Sequence, residues 1–151
     1  MDDGLFEKDF ERIGDIDFDR PSYEHQVKAF QRIKQGSNVV VTTGTGSGKT
    51  ECFMLPIIDE LIKEYNSGNR APGVRAIFLF PLNALVYDQI DRLRKYLSNY
   101  KEIRFGFYTG RTPEDENSRE GKRLIAQYKN KYGEPIENEV LTREKMRENH
   151  Y

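Results

Sequence analysis

Val39-Val40-Val41-Thr42-Thr43-Gly44-Thr45-Gly46-Ser47-Gly48-Lys49-Thr50 is the stretch on which the fold turns. The β-branched run at its start favours an extended backbone. Gly44, Gly46 and Gly48, at alternate positions, let the chain turn tightly and present its N–H groups to an anion. Lys49 has the length to reach the outer phosphates of a nucleotide, and the Thr50 hydroxyl suits a Mg²⁺ position. A glycine-rich linker would have polar flanks, whereas this loop lies between Val39–Val41 and the apolar Phe53-Met54-Leu55-Pro56-Ile57-Ile58. The stretch therefore reads as a buried strand, a phosphate cradle and the start of a helix.

The rest of the composition bounds what surrounds that cradle. The 151 residues suit one domain, with 36% hydrophobic and 32% charged side chains. No run approaches the ~18 apolar residues of a membrane span, so no membrane partner is expected. Met1-Asp2-Asp3-Gly4 lacks the basic and then apolar layout of a signal peptide. The single cysteine, Cys52, excludes an internal disulfide and fits a reducing, cytoplasmic setting. It is expected to be a small buried residue rather than a redox centre. The formal net charge of −1 conceals an asymmetry. Residues 1–19 hold eight acids against Lys8 and Arg12, a local −6, and the remainder carries +5. That excess permits nucleic-acid binding without requiring it. The acidic lead reads as a solvated arm or contact segment, although Leu5, Phe6, Phe10 and Ile13 also suit a short amphipathic helix.

Working outward, Pro21 enters a helix over 22–35, with Val27, Phe30 and Ile33 at helical spacing before Gly36. Val39–Val41 is the first expected strand, 49–65 the helix after the cradle, and 66–73 a loop. Arg75–Phe80 reads as a second strand, apolar enough to be covered on both faces. Leu82–Tyr100 reads as an amphipathic helix with Val86, Ile90, Leu93 and Leu97 buried. Ile103, Phe105 and Phe107 alternate with polar or small residues as a third strand. Strand–helix–strand–helix–strand implies an α/β fold with a parallel sheet and helices on both faces. Beyond Gly110 the pattern weakens: helical stretches are expected near 114–130 and 142–148, and no fourth strand is visible.

Three motifs occur in order along this frame. Upstream, Arg20-Pro21-Ser22-Tyr23-Glu24-His25-Gln26 places a glutamine amide where it could read the N6/N7 edge of adenine, with Tyr23 available to stack. It resembles the Q motif, or adenine clamp, of helicases. The strict P-loop pattern begins with Gly where this chain has Thr43. Thr-Gly-Thr-Gly-Ser-Gly-Lys-Thr at 43–50 instead resembles motif I of superfamily 2 helicases. After the second strand, Pro81-Leu82-Asn83-Ala84-Leu85-Val86-Tyr87-Asp88-Gln89 resembles motif Ia, which contacts a nucleic-acid backbone. A helix N-terminus at a strand's carboxyl end presents free N–H groups to phosphate. Leu82 replaces the family's threonine there, leaving Asn83 to compensate. Tyr108-Thr109-Gly110-Arg111-Thr112-Pro113 stands where the family has a backbone-binding turn, and reads equally well as a helix start.

Residues 20–113 thus resemble the first half of a RecA-like, P-loop NTPase domain of a DEAD/DEAH-box-type helicase. The wording of the motifs is similar to large bacterial phage-defence helicases of the DISARM and Druantia type. The resemblance implies ATP and Mg²⁺ as cofactors, held by Tyr23, Gln26, Thr45, Gly46, Ser47, Gly48, Lys49, Thr50 and Glu51. Lys49 takes the catalytic role and Thr50 the metal position. It implies DNA or RNA as partner, gripped independently of sequence by Pro81, Asn83, Gln89, Thr109, Gly110 and Arg111. His25 has no second ligand at metal spacing and reads as structural.

Hydrolysis also needs a carboxylate to hold Mg²⁺ and a group to orient water. The family supplies these from an Asp-Glu-x-His or Asp-Glu-Ala-Asp box, and neither occurs in these 151 residues. Glu114-Asp115-Glu116 and Glu137-Asn138-Glu139 follow no apolar strand and are rejected for that role. Residues 114–151 read as a polar helical insert or the approach to later motifs. The expectation is the ATP-binding front of a longer motor, inactive alone, with the remainder of that chain as partner. The alternatives are a non-catalytic nucleotide- or nucleic-acid-binding module and, less well supported by Thr43 and motif Ia, a small-molecule kinase.

Overall fold

A computed structural model describes residues 6–134 and 136–148. The chain folds as two compact units, one holding Ile16–Asn69 with the residues up to Arg12, the other Ile13–Asp15 with the residues from Arg70 onward.

In the first unit, α1 (Glu24–Lys34) and α2 (Glu51–Asn66) lie against one another. Phe30 from α1 and Met54, Ile58 and Ile62 from α2 are almost wholly buried, each such side chain stabilising by roughly 1.5–3 kcal/mol. The acidic lead joins this core. A 3₁₀ turn at Lys8–Arg12 buries Phe10, which stacks on Phe6 at 4.2 Å. Phe6 in turn meets Phe30 edge-on at 5.2 Å. Buried Asp59 is satisfied by Lys34 at 3.1 Å and by the Glu7 N–H at 2.7 Å, which offsets its desolvation. Leu5 lies outside the described residues.

The second unit is built on a strand–helix–strand crossover. β1 (Phe105–Gly106) runs parallel to β2 (Glu139–Val140), in register Phe105↔Glu139 and Gly106↔Val140, with α4 (Arg119–Tyr132) connecting them. Parallel strands need such a crossover, so the α/β class holds. α3 (Asn83–Tyr96) buries Ile90, Leu93 and Tyr96, and Leu97 just beyond its end is buried too. Asn138 Nδ2 donates to the carbonyls of Leu97, Tyr100 and Ile103 at 3.2, 2.8 and 3.0 Å. This one amide ties together the turns that follow α3. Gly14 lies against that same end, its N–H donating to the Tyr96 carbonyl. A Cβ at Gly14 would fall 2.3 Å from the Lys95 oxygen, so the approach admits only glycine. α5 (Arg143–Glu148) completes the unit.

Two expectations are corrected here. β2 is the fourth strand that the sequence did not reveal: it is two residues long, and its partners lie more than thirty positions away. Conversely, Val39–Val41 and Arg75–Phe80 form no strand ladder among the described residues. An extended segment becomes a strand only when a neighbour supplies ladder hydrogen bonds, and none of the described residues does so. Val40, Ile77 and Leu79 are left 88%, 75% and 88% exposed. Unpaired apolar edges recruit other chains. The isolated 151-residue chain is therefore expected to be marginally stable and prone to self-association. A monomeric sample with a cooperative melt above ~60 °C would contradict this, since ordinary domains melt at about 45–65 °C.

One polar cluster braces the second unit. The Arg94 guanidinium forms a two-pronged pair with Glu139, Nε to Oε2 at 2.7 Å and Nη2 to Oε1 at 2.6 Å. It lies over the rings of Tyr128 and Tyr132, 4.7 and 5.1 Å from their centroids, and donates to both hydroxyls. Tyr128 donates its own hydroxyl hydrogen bond to Glu139 Oε1 at 2.8 Å, and Tyr132 donates to Asp91 at 2.7 Å. The Glu139 side chain is 0% exposed and Arg94 10%. Burial pushes the Tyr128 phenol well up, reinforced by the Glu139 charge. Burial alone would lower Arg94, but bonding to Glu139 and its charge more than reverse that.

Candidate nucleotide-binding site

The 44–50 loop opens directly onto α2, whose first residue is Glu51. Gly46 and Gly48 adopt φ of 72° and 74°, the left-handed region that glycine enters freely. A Cβ on Gly48 would also fall 2.4 Å from Gln26 Nε2. Thr50 takes the N-cap position with a helical backbone, and its hydroxyl does not cap the helix. The N–H groups of Gly46, Ser47, Gly48, Lys49 and Thr50 make no hydrogen bond to other described residues. Lys49 Nζ folds over the loop and donates to the carbonyls of Thr43, at 2.9 Å, and Gly44. Thr43 and Ser47 hydroxyls meet across the loop at 2.6 Å. Successive unbonded N–H groups at the head of a 16-residue helix, with an ammonium and a free hydroxyl beside them, are the kind of donors that receive an anion. This donor set fits a nucleotide phosphate and its divalent cation. When bound, the cation would neutralise phosphate charge; Lys49 would supply the second positive charge and Thr50 an oxygen ligand.

The Q-motif residues brace that loop. Gln26 is buried; its Oε1 accepts from the Tyr23 N–H at 2.9 Å and its Nε2 donates to the Gly48 carbonyl at 3.1 Å. Each end of the amide thus makes one bond within the protein, which leaves a second Nε2 hydrogen and a second Oε1 lone pair. Tyr23 is half-exposed, stacks on His25 at 5.6 Å and accepts from Arg20 at 2.7 Å. His25 Nε2 lies 2.8 Å from the Ser47 carbonyl. A carbonyl can only accept, so Nε2 carries the proton. This tie between α1 and the loop went unread in the sequence; its one signal was adjacency to Gln26. Cys52, the second residue of α2, is fully buried, and burial pushes its thiol up. Native protein should resist modification by a disulfide reagent at neutral pH and react once denatured. Rapid stoichiometric labelling of the native chain would refute the buried assignment.

The residues expected to touch nucleic acid lie in the second unit. Asn83 is exposed as the first residue of α3, and Leu82 at the N-cap contributes no side-chain bond. Pro81 is exposed beside them. Gln89 is buried on α3, its Nε2 on Asp88 at 2.8 Å. Thr109 is buried too: its N–H bonds the Thr112 hydroxyl and its Oγ1 accepts from the Arg111 N–H. Thr109 therefore shapes the turn, while Gly110 and Arg111 present themselves at its surface. Glu116 and Glu139 pair with Lys145 and Arg94. Among the described residues no cluster of three His, Cys, Asp or Glu side chains could hold a metal ion. No helix among them is long and apolar enough to cross a membrane.

A glycine-rich loop tied to an upstream glutamine, at the head of α2, defines a P-loop nucleotide-binding protein. The family model for DEAD/DEAH box helicases matches residues 23–145, and the chain belongs to that family. It is 42% identical over 112 residues to Druantia protein DruE of Escherichia coli, covering 64% of this chain and 6% of that protein. It is 33% identical over 108 residues to ATP-dependent helicase HRQ1 of Saccharomyces cerevisiae, covering 68% of this chain and 9% of that one. Identity to the uncharacterized ATP-dependent helicase YprA of Bacillus subtilis is 36% over 75 residues, or 50% of this chain and 9% of that protein. The chain thus spans under a tenth of the length of these relatives. No solved structure matches it.

Proposed function

We propose that this chain is the ATP-binding portion of a nucleic-acid-dependent helicase or translocase, working as part of a longer motor. The observation that carries the reading is the loop at 44–50, with its unbonded N–H groups, Lys49 and the free Thr50 hydroxyl at the head of α2. Gly44 to Thr50 hold Mg-ATP, with Glu51, Tyr23 and Gln26 behind the loop. In the second unit, Asn83, Gly110 and Arg111 meet the phosphates of a DNA or RNA strand, and Pro81, Gln89 and Thr109 shape the backbone that does so. Contacts to phosphate rather than base edges make that grip sequence-independent. The family's Asp-Glu box is not among the 151 residues, so turnover waits on carboxylates from the rest of the motor. The likeness to Druantia protein DruE favours a role in phage defence, and the lone buried thiol suits a reducing cytoplasm.

Equilibrium binding of a fluorescent ATP analogue, followed by phosphate release with and without single-stranded DNA, tests this. Binding that requires Mg²⁺ and is displaced by ADP, with no phosphate release, is the expected result. Absence of binding would remove the nucleotide reading. Turnover by this chain would remove the claim that it needs further carboxylates. Transfer of phosphate to a metabolite would favour a kinase instead.

A further inference from the structure

We propose that Tyr108, backed by Arg143, is a stacking platform for a nucleobase of single-stranded nucleic acid, beside the turn that meets its phosphates. The inference rests on the nucleic-acid reading above and adds a contact to the base itself. Tyr108 immediately precedes Thr109 and is 68% exposed. The Arg143 guanidinium carbon lies 4.8 Å from its ring centroid, in cation–π range.

The support is rigid. Arg143 Nη2 donates to the Thr109 carbonyl at 2.9 Å, and its backbone N–H donates to the Pro113 carbonyl at 3.0 Å. The Glu144 N–H bonds the Glu114 carbonyl, and Thr112 Oγ1 donates to the Phe107 carbonyl at 3.0 Å. Turn and helix are thereby knitted on both sides of the ring. An exposed aromatic on a fixed mount loses little freedom when a flat ligand settles on it. The guanidinium polarises the ring, which remains largely exposed to solvent. Close by, the Arg111 side chain is exposed without an ion-pair partner among the described residues, and Gly110 has open space where a Cβ would stand. Backbone phosphate at Gly110 and Arg111, with the adjoining base on Tyr108, combines the two elements by which single strands are held: cationic track and aromatic step. Every base has a π-face, so sequence tolerance is retained. A duplex hides its faces and gains nothing from the ring.

The sequence contains no tryptophan, so Tyr108→Trp introduces a lone reporter. Its emission is expected to be quenched on adding an oligothymidine strand, and not on adding an abasic strand of equal length. Tyr108→Ala should weaken oligothymidine binding by roughly 5- to 150-fold, as loss of one base–aromatic stack does. It should leave abasic-strand affinity and the salt slope unchanged. Tyr108→Phe should bind as wild type does. Arg111→Ala should instead weaken both strands and reduce the salt slope by about one. If wild type and Tyr108→Ala bind oligothymidine equally, and no better than the abasic strand, the platform is refuted while phosphate binding stands. If wild type binds neither strand, both the platform and the nucleic-acid reading fall.

Discussion

Arg94→Met is expected to destabilise the second unit by about 3–5 kcal/mol, because it strands a fully buried carboxylate without its cation. The Glu139 side chain is 0% exposed, and both its oxygens are bonded to Arg94. Tyr128 would remain as one donor to it, too little to balance a buried charge. The rings of Tyr128 and Tyr132 would also lose the guanidinium between them. Folded domains have only about 5–15 kcal/mol in hand, so the variant should fold poorly or melt well over 10 °C lower. The double variant Arg94→Met with Glu139→Leu should recover much of that loss, since an apolar pair of similar volume carries no desolvation penalty. Thermal denaturation followed by circular dichroism separates the outcomes. A single variant melting within about 2 °C of wild type would show that the pair is dispensable.

Lys49→Ala should reduce affinity for Mg-ATP by roughly 10- to 150-fold, the range for losing one hydrogen bond to a charged group. The loop itself should tolerate the change. Lys49 bonds only the exposed Thr43 and Gly44 carbonyls, which water can satisfy in its place. The melting curve should therefore stay where it is while nucleotide binding is lost. That combination distinguishes a ligand-binding lysine from a structural one. Titration of a fluorescent ATP analogue in the presence of Mg²⁺ measures it. Wild-type affinity in the variant would overturn the assignment of residues 44–50 as a phosphate site.

Much of this could be read along the chain because it depends on neighbours in sequence. The helices α1 and α2 follow from apolar spacing and from breakers at Pro21 and Gly36. The alternation of glycine through 44, 46 and 48 permits the left-handed turns that Gly46 and Gly48 adopt. Motif order and wording carried the family, because each motif is a short local device. Cys52 could be judged buried from its place on an apolar helix, and is.

Tertiary structure decided the rest, where the partner of a residue is distant. Glu139 looks like one member of an acidic loop, yet Arg94, forty-five positions earlier, makes it the anchor of a unit. Thr109 looks like a surface hydroxyl, but its bonds to Thr112 and Arg111 turn it inward and leave Gly110 and Arg111 outside. Tyr108 acquires its mount only when Arg143 arrives from α5. Val39–Val41 and Arg75–Phe80 have strand composition but no ladder among the described residues. A strand is a relation between two segments, and propensity in one of them cannot supply the other's hydrogen bonds.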